Sequence, residues 1–338
     1  MVSLPPSPAR RTTTLYSCAE RIAAEQAPRA AAVLLGLRWS FGLPSSPLEE
    51  MTEYSLPLNP TPLPAALAQR GDLRIARYEG DDEVSLHDYL AAGGTAIVAV
   101  DVWHVPFRPA YRRVHTSRTV LVRRDRGDGR LLVLDPWGAP AESTVSPEEL
   151  ERARSSAVPF DAEREPLFSG NPVGRVWFTV EADPFCVDDA EDWVRARLGW
   201  LYGEMALFRS DEKGQYGIEA LRTFRRWLEA RLAGPLDGEE SLAARRGASL
   251  LLRPELTSRI YLGVFLRNAA HLLGDAGLCG EVERYRLDLG HWQSALDALM
   301  KTVRTRRPEY DVFIRDQLAR AWDNEERLLR TLSLYALD

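Results

Sequence analysis

Cysteine is scarce in this chain: three occur in 338 residues, at positions 18, 186 and 279. That odd number, with no repeating spacing, excludes a disulfide framework and a thiolate zinc site, and no metal or bound cofactor is expected. Long apolar runs are also missing. Nothing approaches the roughly 20 apolar residues of a membrane span, and the opening Met-Val-Ser-Leu-Pro-Pro-Ser-Pro-Ala-Arg-Arg lacks the apolar stretch of a signal peptide. A reducing cytoplasm, with no membrane partner, is the expectation. Basic excess is absent too: 43 Lys and Arg stand against 49 Asp and Glu, for a net charge of −6. Nucleic acid, which selects a basic footprint, is therefore not the expected ligand.

What is present is an ordinary globular composition, 45% apolar and 27% charged, at a length that suits two domains. The pattern changes after Asp183-Pro. Before it, apolar runs alternate with turns: strands are expected at 73–78, 95–100, 119–122, 131–134 and 176–180, with short helices at 84–92 and from Ser146-Pro-Glu-Glu. Arg126-Gly-Asp-Gly129 reads as a hairpin turn. After it, apolar residues recur at helical spacing through 189–208, 215–233, 240–251, 256–275, 280–304 and 309–335, with turns signalled at Gly214, Gly234-Pro235, Gly247 and Pro308. The fold class is therefore α+β: an α/β domain with an antiparallel sheet over 1–184, then an all-helical domain over 185–338. No internal repeat is evident.

The stretch Thr14-Leu-Tyr-Ser-Cys-Ala-Glu20 begins the first helical segment, which runs from Tyr16 to about Val33 with Ser17 as its cap and a break at Pro28. A thiol at a helix start meets unpaired N–H groups and the positive end of the helix dipole, both of which favour thiolate. Cys18 is therefore a candidate nucleophile; the alternative is a small buried thiol. His115 precedes an apolar strand, and Asp135 ends the strand joined to it by the hairpin. Thiol, imidazole and carboxylate form the set that nucleophilic acyl chemistry needs, because the imidazole carries the thiol proton and the carboxylate fixes the imidazole tautomer. Asp101, at the end of the central strand, is a second candidate to orient His104 or His115, or else starts a turn.

The ordered motifs Tyr16-Ser-Cys18-Ala, Val100-Asp-Val-Trp-His-Val-Pro-Phe-Arg-Pro-Ala-Tyr111, Val114-His-Thr-Ser-Arg-Thr-Val-Leu-Val122, Val133-Leu-Asp-Pro-Trp137, Tyr216-Gly-Ile-Glu-Ala-Leu221 and Phe265-Leu-Arg-Asn-Ala-Ala-His271 run through nearly the whole chain. Together they resemble the family of butirosin biosynthesis protein H, a papain-like cysteine-enzyme domain followed by a helical domain. The resemblance implies acyl transfer in natural-product, including antibiotic, biosynthesis. An acyl group would pass from the phosphopantetheine thioester of an acyl or peptidyl carrier protein, through Cys18, to a small-molecule amine. The phosphopantetheine belongs to the carrier. The other readings are a cyclase or release factor for a tethered polyketide or peptide, using the same thiol or none, and a degenerate, non-catalytic carrier-binding assembly factor. A homodimer is left open.

One residue departs from the family pattern. The histidine expected directly before the apolar strand is Arg118, with His115 three residues earlier. Arginine is no general base; Arg118 is suited to holding a carboxylate or phosphate, or to stabilising a thiolate. Thr12, Thr13, Thr14 and the Cys18 N–H are the local oxyanion donors. Trp39, Phe41, Trp103, His104, Phe107, Tyr111 and Trp137 give the surrounding loops an aromatic lining suited to an acyl chain or aryl acceptor, or simply to core packing. His271 and His291 read as packing or surface residues, and Cys186 and Cys279 have no catalytic partner nearby. The runs Arg222–Arg226 and Arg304–Arg307 could dock an acidic carrier or serve as solvated helix faces.

Overall fold

The apolar run at 95–100 becomes β3 (Thr95–Asp101), whose last six residues are buried. It lies at the centre of a six-stranded antiparallel sheet with β2 (Leu73–Tyr78), β4 (Ser117–Arg124), β5 (Leu131–Asp135), β6 (Ala141–Val145) and β7 (Trp177–Ala182), in the order β2-β7-β3-β4-β5-β6. These strands belong to a computed structural model that describes residues 13–27, 35–36, 41–50, 73–80, 85–124, 129–136, 141–182, 190–233 and 238–336. The edge strand β6, Ala-Glu-Ser-Thr-Val, carries too little apolar signal to be read from sequence.

Each face of the sheet buries a different layer, as the two-residue period of a strand requires. Ile97, Ala99 and Leu121 face α1 (Thr14–Gln26) and join a core that continues into the helical half. Val98, Val100, Val120 and Val122 form a smaller core with α2 (Leu86–Ala91) and α3 (Pro147–Arg154). α3 opens on the expected Ser146 cap, completed as a capping box by Glu149.

The second half consists of α4 (Ala190–Ala206), α5 (Ile218–Leu232), α6 (Glu239–Leu273), α7 (Ala276–Thr305) and α8 (Asp311–Leu332). The chain is thus α+β with a helical C-terminal part. The two helices expected at 240–251 and 256–275 are one 35-residue helix that runs through Pro254. Gly247, expected to be a turn, lies inside it, where the backbone of the short helical turn Leu48–Glu50 comes so close that an added Cβ would sit 1.8 Å from the Leu48 carbonyl oxygen. Among the described residues no helix is long and apolar enough to cross a membrane.

The two halves interlock. β1 (Gly42–Pro44) pairs with β9 (Gly214–Tyr216), which pairs with β8 (Arg209–Ser210). The Gly42 N–H donates to Glu255 (3.2 Å). Glu255 also accepts from Arg259 (2.6 Å), whose Nε donates to Glu325 (2.8 Å), and Glu325 accepts from the Tyr285 hydroxyl (3.3 Å). All four residues are buried. The sequence boundary near 184 falls within 183–189, outside the described residues, but the larger core runs unbroken from Leu15 to Leu332.

Candidate functional site

Cys18 does not open its helix. Thr13 is the cap, accepting from the Tyr16 N–H, while Ser17, the expected cap, donates its hydroxyl to the Thr13 carbonyl (3.1 Å). Three consecutive threonines upstream make a cap one turn earlier available, and Cys18 falls in the second turn, beyond the unpaired N–H groups. The Thr13 N–H donates in turn to Thr257 of α6 (3.3 Å). Thr14 Oγ1 accepts from both the N–H (3.2 Å) and the hydroxyl (2.9 Å) of Thr119. Of the candidate oxyanion donors, Thr13 and Thr14 are therefore engaged in structure and buried.

The Cys18 side chain is fully buried, and its thiol donates to the Thr119 carbonyl at 3.8 Å. Burial pushes the thiol pKa well above its ordinary value, and the Asp135 carboxylate pushes it further. The bond to Thr119 and the charge of Arg118 oppose this without reversing it. Cys18 is held as a neutral thiol.

Neither expected partner bonds the thiol, although the charge of Asp135 reaches it. Asp135, also fully buried, accepts from Arg118 Nη1 at 3.0 Å and faces Arg108 Nε at 3.3 Å. By strand alternation Arg118 and Asp135 share the face of Val120, whereas Thr119 and Leu121 face α1 and Cys18. Arg118 thus meets the carboxylate expected from the sequence to orient His115. His115 lies four residues up the chain from Thr119, roughly 13 Å if extended at ~3.3 Å per residue, and pairs with Asp101. His115 is bonded to Asp101, and Asp135 to Arg118, so the base and carboxylate expected from the sequence are not paired with each other.

His115 and Asp101 are instead a built pair. His115 Nδ1 lies 2.7 Å from Asp101 Oδ2, the same oxygen that accepts from the Ser156 hydroxyl at 2.7 Å. Asp101 Oδ1 accepts from the N–H groups of Trp103 (3.0 Å) and Thr116 (3.3 Å). A fully buried carboxylate receiving four donors cannot turn, so it fixes the imidazole with Nδ1–H toward it and Nε2 as the acceptor. The antiparallel register, Asp101 opposite Ser117, brings the two residues together. Trp103 stacks on the His115 ring, centroids 4.3 Å apart and planes 7° from parallel. The His115 side chain keeps a quarter of its surface exposed.

Around this pair lie further basic groups. His104 ends the short helical turn Val102–His104, against which α3 packs. Burial lowers its pKa; Asp101 opposes that, while His115, Arg152 and Arg112 reinforce it. Arg112 closes the loop through its N–H to the Trp103 carbonyl (3.2 Å), with its guanidinium 5.1 Å from the Tyr111 ring. Trp39, Trp137, Thr12 and Cys186 lie outside the described residues.

Compared with known proteins, the chain matches no family model and no curated sequence.

Several of the remaining sequence candidates are engaged in packing or hydrogen bonds. Phe41 is buried against Phe224, Phe107 packs on the smaller core and His291 bonds Gln317 at 2.8 Å. Arg222 pairs with Glu326 and Arg225 with Glu229 on an exposed helix face. Among the described residues no group of three or more His, Cys, Asp or Glu could hold a metal ion. A pocket of about 450 Å³ between α2, α3 and the β4–β5 hairpin is lined by Leu86, Leu90, Leu131 and Leu150, with Arg124 at its side, and includes none of the sequence-predicted site residues.

Proposed function

We propose that this protein transfers an acyl group from a carrier-bound thioester to an amine in natural-product assembly, with His115 as general base and with no covalent intermediate on Cys18. The resemblance to the butirosin biosynthesis protein H family, and to its papain-like domain, supplies the donor class. The observation that carries the reading is the 2.7 Å contact between His115 Nδ1 and a buried Asp101 held by three further donors. In the step, the amine nitrogen attacks the thioester carbonyl carbon while His115 Nε2 takes an amine proton. The carbon–sulfur bond then breaks, and the carrier thiolate leaves with the proton returned from the imidazolium. Asp101 stabilises the charged ring meanwhile. Cys18, neutral and sealed against Thr119, is a core residue in this scheme.

Turnover of an acyl-carrier thioester with an amine, followed by mass spectrometry, tests it. His115→Ala is expected to lower kcat by ~10²–10⁴-fold, the usual worth of a general base, while Cys18→Ala keeps the rate within a few-fold. An acyl adduct on Cys18, lost together with activity in Cys18→Ala, would overturn the scheme in favour of a thiol nucleophile. A second reading, a non-catalytic carrier-binding assembly factor, is favoured by the Arg118–Asp135 ion pair. It predicts carrier binding with no turnover by the wild-type protein.

A further inference from the structure

We infer that the mouth of the His115–Asp101 pair is a binding site for a phosphate ester, held by Arg112 and Arg152 with His104 and His115. The inference deepens the acyl-transfer reading by giving the substrate a phosphate group beside its reacting end.

Four groups that carry or can take positive charge meet there from three parts of the chain. His104 comes from the turn after β3, Arg112 and His115 from the loop before β4, and Arg152 from α3, which packs against the turn. The charges that bear on His104 are those of Asp101, His115, Arg152 and Arg112. Arg112 and Arg152 are exposed, and among the described residues neither forms an ion pair, although the charge of Glu148 bears on Arg152. The one carboxylate among these groups, Asp101, is buried and has both oxygens occupied. Glu148, one turn before Arg152 on α3, adds a second carboxylate, so two guanidinium groups face two carboxylates, one of them buried and fully bonded, and protonation of His104 adds positive charge. Guanidinium groups match phosphate oxygens in pairs, which a point charge does not.

The backbone fixes part of the cradle. Arg112 has φ +52°, the left-handed region costly for a residue with a side chain, and its N–H is tied to the Trp103 carbonyl. That conformation sets Arg112 beside Trp103, the ring stacked on His115. His104 gives the site a pH response. Because burial lowers the His104 pKa, its extra positive charge arrives only below the ordinary imidazole range.

Titration of the full-length protein with dimethyl phosphate and with methyl phosphate, read by the ring ¹⁵N–¹H signals of its histidines, tests the site. The monoester mimics a phosphorylated small-molecule substrate whose phosphate lies near its reacting end. The diester mimics a phosphopantetheine arm, whose phosphate is a full arm's length from its thioester, so tighter diester binding would put the carrier's phosphate rather than its thioester at His115 and would overturn His115 as the base. Saturable shifts are expected at His104 and His115, with His87 and His271 still. Arg112→Gln and Arg152→Gln should each weaken binding about tenfold, the worth of one charge-assisted contact, whereas Arg124→Gln leaves it unchanged. Diester binding should tighten as pH falls, since the diester charge is constant there. Histidine signals unmoved by either ester, or equal losses in Arg124→Gln, would overturn the site. If phosphate binds but no acyl transfer occurs, only the acyl-transfer reading fails. If transfer depends on His115 but neither ester binds, only the phosphate site fails.

Discussion

Cys18 shows how far one residue's chemistry depends on a single turn of helix. One turn earlier its sulfur would meet free N–H groups; where it stands, it meets the Thr119 carbonyl in a dry core. Iodoacetamide is therefore expected to leave Cys18 unmodified in the native protein and to label it only on unfolding, while the half-buried Cys279 reacts earlier; peptide mass spectrometry follows both. The cap one turn upstream was readable in Thr12-Thr13-Thr14 before an apolar run. The partner of His115 was not: choosing between Asp101 and Asp135 required the β3–β4 register, which puts Asp101 opposite Ser117. Alkaline pH gives a second test. Burial raises the Cys18 pKa well above 9.0, and burial, then Glu325, raises that of Tyr285 well above 10.0. Groups raised in the folded state stabilise it fully below their unfolded values and lose that contribution as pH climbs past them. The urea midpoint is thus expected to fall once pH exceeds about 9, and to fall less in Cys18→Ala.

At the scale of elements, long apolar periods were legible and close approaches of backbone were not. The helices at 190–206, 276–305 and 311–332 lie within a few residues of their periodic patterns. The periodicity predicts two helices where α6 is one, with Gly247 resembling a stop. The helix continues because tertiary contacts hold it: Leu48 seats against Gly247 on one side of Pro254, and Thr257 on the other receives the Thr13 N–H. Gly247→Ala inverts the usual expectation. Alanine stabilises an exposed helix interior by ~1 kcal/mol over glycine, but here its Cβ meets a backbone oxygen, and a loss of about 2–3 kcal/mol is expected. Gly290→Ala in α7, where nothing lies within 4 Å of the added carbon, should hold or gain stability. Thermal melts of the two variants compare them directly.

Across the whole molecule, one buried ionic group joins the halves. Arg259 lies between Glu255 and Glu325, beside Tyr285, and through Glu255 the network holds Gly42 of β1. Removing its single cation strands two carboxylates in the core, so Arg259→Met is expected to cost about 3–5 kcal/mol by urea denaturation. Neither the network nor the pairing of β1 with β9 was visible in sequence, since both join residues far apart in the chain that carry no local periodicity. The shared strand also bears on how the protein is made. During translation, residues 42–44 leave the ribosome long before 214–216 and Glu255, and Thr13 leaves long before Thr257. The amino-terminal half therefore waits, incomplete, for its own carboxy-terminal half, and its first helix becomes fully anchored only when most of the chain has been synthesised.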